Sequence, residues 1–180
     1  LRRTAASTIQ LPDSDRLAGL LGPMLYDPVK TVRIEAASRL AGELTTYLTT
    51  GQREVLQIVL QEYEAAMEYS ADFSASRHNL GNFYTNLDRP EDAINAYEAA
   101  IRIDDQFFPA KVNLAMLYNQ RGQNDRAEKL LREVVTAQPE FYEVAYSLGL
   151  LLAEIQNFPE AAVYLEQASK GQPDNARIHY

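Results

Sequence analysis

The sequence predicts an all-α protein, a right-handed α-solenoid of antiparallel helix hairpins, and three observations carry that expectation. Seven residue columns recur at a spacing of 34 through the second half of the chain. The composition leans to Ala, Leu, Glu and Gln, which favour helix, and β-branched runs of the kind strands need are missing. Short polar turns holding Gly, Pro, Asp or Asn fall at fixed offsets between the columns.

Residues 1–48 come first in chain order. Leu1, Arg2, Arg3, Thr4, Ala5, Ala6 and Ser7 align with Val32, Arg33, Ile34, Glu35, Ala36, Ala37 and Ser38, and Ile9 then aligns with Leu40. Between the copies, Leu17, Leu20, Leu21, Met24 and Leu25 form an apolar helical stripe ended by Asp27-Pro28. Asp13 or Ser14 can cap its start. The Asp-Pro turn followed by Val-Arg and Ala-Ala resembles the compact HEAT-like repeats of bacterial proteins. The first copy lacks a partner helix before it, so residues 1–9 are expected to be the tail of a truncated array.

Residues 49–73 form the next element. Gln52 to Tyr69 reads as an amphipathic helix with Val55, Ile58, Val59, Glu62, Tyr63 and Ala66 inward, Glu62 fitting that stripe worst. From Leu40 to Ala66 the separation is 26, against 20 between the matching columns downstream. This implies a degenerate repeat with a six-residue insertion near Thr45 to Gln52, sharing one core with its neighbours. A flexible hinge at Thr49-Thr50-Gly51 is the other arrangement.

Residues 74–175 hold three units, 74–107, 108–141 and 142–175. Their columns are Ala93/Ala127/Ala161, Leu80/Leu114/Leu148, Gly81/Ala115/Gly149, Tyr84/Tyr118/Leu152, Tyr97/Leu131/Leu165 and Ala100/Val134/Ala168, with Pro139 and Pro173 closing two units. Small residues let two antiparallel helices approach, and the large ones fill the space between them. Pro90 and Pro159 suit the first turn of a helix, where no N–H is needed. Hairpins are expected at about 74–104, 108–138 and 142–172, and residues 176–180 begin a further helix or tail. The pattern resembles the tetratricopeptide repeat (TPR), although Arg77, Lys111 and Ala145 stand where the family often has a large aromatic.

Charge and composition then exclude whole classes of function. The net charge of −8 divides into six Lys/Arg against five Asp/Glu in residues 1–50, and eleven against twenty in residues 51–180. So acidic a body is unsuited to a phosphate backbone, which excludes nucleic acid as a partner. The absence of cysteine removes thiolate zinc sites, disulfides and thiol catalysis. The longest apolar stretch, Val144 to Ile155, is too short to cross a bilayer, so no membrane insertion is expected. His78 and His179 have no ligating residue at i+3 or i+4, so no metal is expected. No nucleophile elbow, phosphate loop or dinucleotide fingerprint occurs, so no catalytic residue and no cofactor are expected, and the chain reads as a non-enzyme.

What remains is a binding surface. With the Leu80 column facing the core, the residues rotated away from it on each first helix line a groove. These are His78, Asn79, Asn82, Thr85 and Asn86, then Val112, Asn113, Met116, Asn119 and Gln120, then Tyr146, Ser147, Leu150 and Glu154. A carboxamide donates and accepts at once, so Asn79 and Asn113 can hold peptide groups of an extended chain without reading its sequence. Solvated polar residues on an exposed face would give the same pattern. The TPR resemblance implies a scaffold for a protein or peptide partner, with His78, Asn79, Asn82, Asn86, Asn113, Met116, Asn119, Tyr146 and Leu150 as contact residues. The co-chaperone carboxylate clamp of that family is not matched. Asn82 and Asn113 stand in place, but His78, Glu143 and Ser147 replace its cations. HEAT-like repeats before TPRs also resemble the C-terminal part of exported bacterial multihaem cytochromes. That likeness implies a structural segment with no binding of its own and a periplasmic parent; otherwise the compartment is cytoplasmic or periplasmic.

Overall fold

A computed structural model describes residues 13–171, and all regular structure among them is helical. The Leu1 to Ile9 copy of the HEAT-like motif, Pro173, His179 and residues 176–180 lie outside the described residues. Contacts divide the chain into two compact units that part between Ala93 and Ile94.

The first unit begins with α1 (Ser14–Leu21), capped by the Asp13 carboxylate, which accepts from the N–H groups of Asp15 (3.2 Å) and Arg16 (3.5 Å). The expected stripe from Leu17 to Leu25 is not one helix. Pro23 falls in a 3-10 turn, Gly22–Tyr26, which rewinds the register so that Ala18, Leu21 and Leu25 are buried while Leu20 is 48% exposed. The next helix, α2 (Lys30–Leu40), buries Val32, Ala36, Ala37 and Leu40.

Arg33 makes one device of the Asp-Pro turn and the Val-Arg pair. Its guanidinium donates to the carbonyls of Asp27 (2.9 Å) and Pro28 (3.3 Å) and to the Glu62 carboxylate (3.0 Å), while Asp27 Oδ1 accepts from Val29 N–H at 2.8 Å. A second 3-10 turn, Gly42–Tyr47, overlaps only the start of the stretch from Thr45 to Gln52 read as an insertion.

Thr49 then starts α3 (Thr50–Tyr69) with a reciprocal capping box to Gln52. The helix packs against α2 and against α4 (Ser74–Asn86). Its buried stripe is Leu56, Val59 and Leu60, and Ile58, expected inside, is 56% exposed. Two contacts set that rotation. Glu62 turns to Arg33, and the Tyr63 ring meets Phe83 of α4 at 4.6 Å between centroids.

The boundary between the units falls inside α5 (Pro90–Ile103). The second unit continues with α6 (Phe108–Gln120), α7 (Asn124–Ala137), α8 (Tyr142–Glu154) and α9 (Phe158–Gly171). Contacts run from α6 to α7, α7 to α8 and α8 to α9, as antiparallel hairpins require. Ala127 is fully buried and Ala161 is 3% exposed, and a Cβ on Gly149 would come within 2.8 Å of Leu165 Cγ. The small columns are small because another helix lies against them.

Each first helix ends in the same way. Asp88, Gly122 and Gln156 take positive φ angles of 54°, 70° and 64°. The next N–H reaches back five residues, from Arg89 to Tyr84 O (2.9 Å), Gln123 to Tyr118 O (2.8 Å) and Asn157 to Leu152 O (2.8 Å). This Schellman closure satisfies a terminal carbonyl and reverses the chain. Among the described residues, no helix is long and apolar enough to cross a membrane.

Candidate functional site

In the first unit, α4 carries four of the expected contact residues. Asn79 and Asn86 are exposed, while His78 and Asn82 are half-buried. Burial pushes the His78 imidazole below its ordinary pKa, so at neutral pH it is uncharged and offers no cation to a carboxylate. Thr85 is exposed, its hydroxyl donating back to Gly81 O of its own helix at 2.9 Å.

The other five residues lie in the second unit. On α6, Met116 is 52% exposed, with Asn113 and Asn119 half-buried; on α8, Leu150 is 48% exposed and Tyr146 half-buried. Asn119 is already committed. Its amide donates to Glu154 Oε2 of α8 (3.1 Å) and to Asn124 Oδ1 (3.3 Å), so it braces two first helices together. Ser147, expected to extend the row of carboxamides, donates its hydroxyl to Glu143 O on its own helix (3.0 Å).

A cavity of about 430 Å³ opens between the N-terminal ends of α6 and α8. Of the expected groove residues of this unit, Val112 and Asn113 line it and Met116, Tyr146 and Leu150 do not; most of its wall is Phe108, Pro109, Phe141, Tyr142 and Val144, with Glu140, Glu143 and Gly171 completing it. The Phe108 and Phe141 rings meet edge to face at 6.4 Å. Sequence reasoning passed over these aromatics, although a signal was present. Phe73, Phe107 and Phe141 form a further column with the 34-residue spacing, each at the N-cap of a first helix and none capping it through its side chain.

The second unit also holds a polar clasp that the sequence reading missed. The Tyr118 hydroxyl donates to Glu98 Oε1 (2.7 Å), Arg126 pairs with the same oxygen (3.1 Å), and its guanidinium lies 3.9 Å over the Tyr118 ring. Burial and the Glu98 hydrogen bond push the Tyr118 hydroxyl up to about 12. Lys111 is likewise absorbed, 8% exposed and paired with Glu133 at 2.7 Å. Among the described residues, no cluster of His, Asp and Glu is placed to hold a metal.

Comparison with known proteins follows from this geometry. The tetratricopeptide repeat profile matches residues 87–148 and 120–180, which together make up more than half of the chain. The chain belongs to the tetratricopeptide repeat family. No curated protein matches this TPR chain by sequence. Among solved structures, a crystal structure of MamA is similar at 17% identity and a TM-score of 0.62, over 74% of this chain and 80% of that one. The Arabidopsis OM64 TPR domain is similar at 17% identity and a TM-score of 0.56, over 61% and 90%. YrrB, described as a TPR protein with an unusual peptide-binding site, is similar at 19% identity and a TM-score of 0.57, over 92% and 88%. These likenesses establish the fold, an all-α solenoid of helix hairpins. Tetratricopeptide repeat proteins are in general protein-interaction scaffolds.

Proposed function

We propose that this TPR chain holds an extended peptide or partner segment against the first helices of its hairpins. In the second unit the contact surface is Asn113, Met116, Tyr146 and Leu150, and in the first it is the α4 face carrying His78, Asn79, Asn82 and Asn86. One observation carries the reading. Met116 and Leu150 occupy equivalent positions on consecutive first helices, and both leave about half their surface in water while the Leu80 and Ala93 columns are buried. Single exposed apolar residues are common, but a pair repeated at the same position of consecutive first helices favours a binding face. Asn119 is better read as a brace that fixes α6 and α8 than as a ligand contact.

The energetics assign the roles. A neutral hydrogen bond to a carboxamide nets only about 0.5–1.5 kcal/mol, so Asn113 orients the peptide while Met116, Tyr146 and Leu150 supply most of the affinity. The test selects peptides from a random display library on the wild-type chain, then measures them against Asn113→Ala with Tyr146→Ala. Affinity should fall by about tenfold or more with the helical circular dichroism unchanged. Retained affinity moves the site elsewhere. A library that yields no binder leaves the structural-segment reading.

A further inference from the structure

We propose that the cavity between α6 and α8 receives an apolar side chain from a peptide that carries Lys or Arg beside it. This rests on the groove reading above and names the chemistry of its occupant.

The walls specify the apolar part. Phe108, Val112, Phe141 and Tyr142 leave an opening of about 430 Å³, within the ~300–1,000 Å³ typical of small-ligand sites. The edge-to-face pair of Phe108 and Phe141 is held by the helix ends that carry it, so the pocket is preformed and its occupant need not order it.

The rim specifies the charge. Glu140 and Glu143 are the cavity's charged lining residues, both exposed, and no Lys or Arg lines it. Among the described residues neither carboxylate is held in an ion pair, unlike Glu98, Glu128, Glu133 and Glu160 of the same unit. The helix dipole accounts for an acidic residue in the first turn of α8, where Glu143 stands, but not for the missing counter-charge. Nearby cations are spent or set aside. Lys111 is buried against Glu133, and Lys170 does not line the cavity.

Two other cavities of this unit show the contrast. One is lined by Arg102, Arg126 and Lys129 along with Glu98 and Glu133, the other by Lys111, Lys129 and Arg132 along with Asp105 and Glu133. Each of these holds three bases against two acids, whereas the lining of the α6–α8 cavity holds acids alone. The excess of twenty acidic over eleven basic residues in residues 51–180 adds a field that draws cationic segments in.

The test measures fluorescence anisotropy of the full 180-residue chain with three labelled synthetic peptides of equal length. One alternates Lys with Phe and Leu, one replaces each Lys by Glu, and one keeps Lys but replaces Phe and Leu by Ser. The Lys-apolar peptide should bind about tenfold tighter than either other, and weaken as salt rises. Glu140→Gln with Glu143→Gln should cost about fivefold, and Glu140→Lys with Glu143→Lys should shift preference to the Glu-apolar peptide. Both sites are exposed, so circular dichroism should stay that of the wild type. Equal or tighter binding of the Glu-apolar peptide, lost with Asn113→Ala and Tyr146→Ala, overturns this inference and leaves the groove reading standing. Binding of every peptide untouched by that double variant overturns both. Equal binding of both Lys peptides means diffuse attraction to an acidic chain and overturns the pocket. A dimer in sedimentation velocity that the Gln variant dissociates makes a second copy the occupant and also overturns it.

Discussion

At the turn after each first helix, one residue decides how easily the chain reverses. Asp88, Gly122 and Gln156 all sit in the left-handed region, yet only Gly122 has no Cβ to strain there. A non-glycine residue in that region costs about 1–2 kcal/mol, and glycine loses about 0.5–1 kcal/mol of that advantage to chain entropy. Gln156→Gly should therefore raise stability by about 0.5–1 kcal/mol in urea unfolding, and Gly122→Ala should lower it by a similar amount. A change of the opposite sign at either position would mean that the turn is not the strained one described. Tyr118 makes a second prediction, through pH. Its hydroxyl is held up to about 12 by burial and by Glu98, against about 10 in an unfolded chain. The native state therefore keeps the proton longer. The contribution is fully present below pH 10 and is lost as pH rises from 10 to about 12. Tyr118→Phe should be less stable at pH 8 and should lose part of this alkaline decline. Tyr63 and Tyr84 are shifted upward too, so the quantity to measure is the difference between the two proteins. An unchanged alkaline slope would remove the clasp as its cause.

At the scale of elements, the helices of residues 74–171 were legible because small and large residues alternate there under one strict period. Hairpins expected at about 74–104, 108–138 and 142–172 end at Ile103, Ala137 and Gly171. The first unit was harder for a physical reason: its helix rotations are set by long-range polar contacts that no local period announces. Leu20 and Ile58 fit an apolar stripe in sequence, but Pro23 and the Arg33–Glu62 pair turn them outward. The cavity at α6 and α8 was half legible. Val112 and Asn113 follow from rotation about the helix, whereas Phe141 at an N-cap and Phe108 at a first helical position were hidden by the expectation that helix starts are polar. Arg33 is the test of the polar control. Arg33→Ala removes bonds to two carbonyls and a carboxylate, so unit 1 should lose about 1.5–3 kcal/mol. Arg33→Lys should recover little, because an ammonium cannot reproduce the guanidinium fork. Full recovery by Lys would reduce the device to a simple charge pair. Tyr84 and Glu64 are the counterparts, 34 residues earlier, of Tyr118 and Glu98, and Glu64 helps to push the Tyr84 hydroxyl upward as Glu98 does that of Tyr118. From that recurrence we infer that residues 49–73 are a degenerate repeat.

For the whole molecule, the question is where a solenoid chain is weakest, since repeats are held mainly by their immediate neighbours. Composition points to Thr49-Thr50-Gly51, a polar stretch ending in glycine between two apolar helices. Local structure points the other way. Thr49 accepts from Gln52 N–H at 3.2 Å, Gln52 Oε1 accepts from Thr49 N–H at 2.9 Å, and Leu48 just before them is buried. The helix they start packs against α2, α4 and the Gly22–Tyr26 turn, so opening this segment for a protease means detaching part of α3 as well. Brief thermolysin digestion should therefore leave residues 49–51 uncut while the chain is native. Thr49→Ala removes the cap, costing about 1 kcal/mol, and should raise the cleavage rate there severalfold without changing the midpoint of unfolding of the second unit. An early, clean cut at 49–51 in the wild-type chain, releasing two folded fragments, would instead establish a hinge at that point. Residues 13–48 would then be a separate body rather than part of the first unit's core.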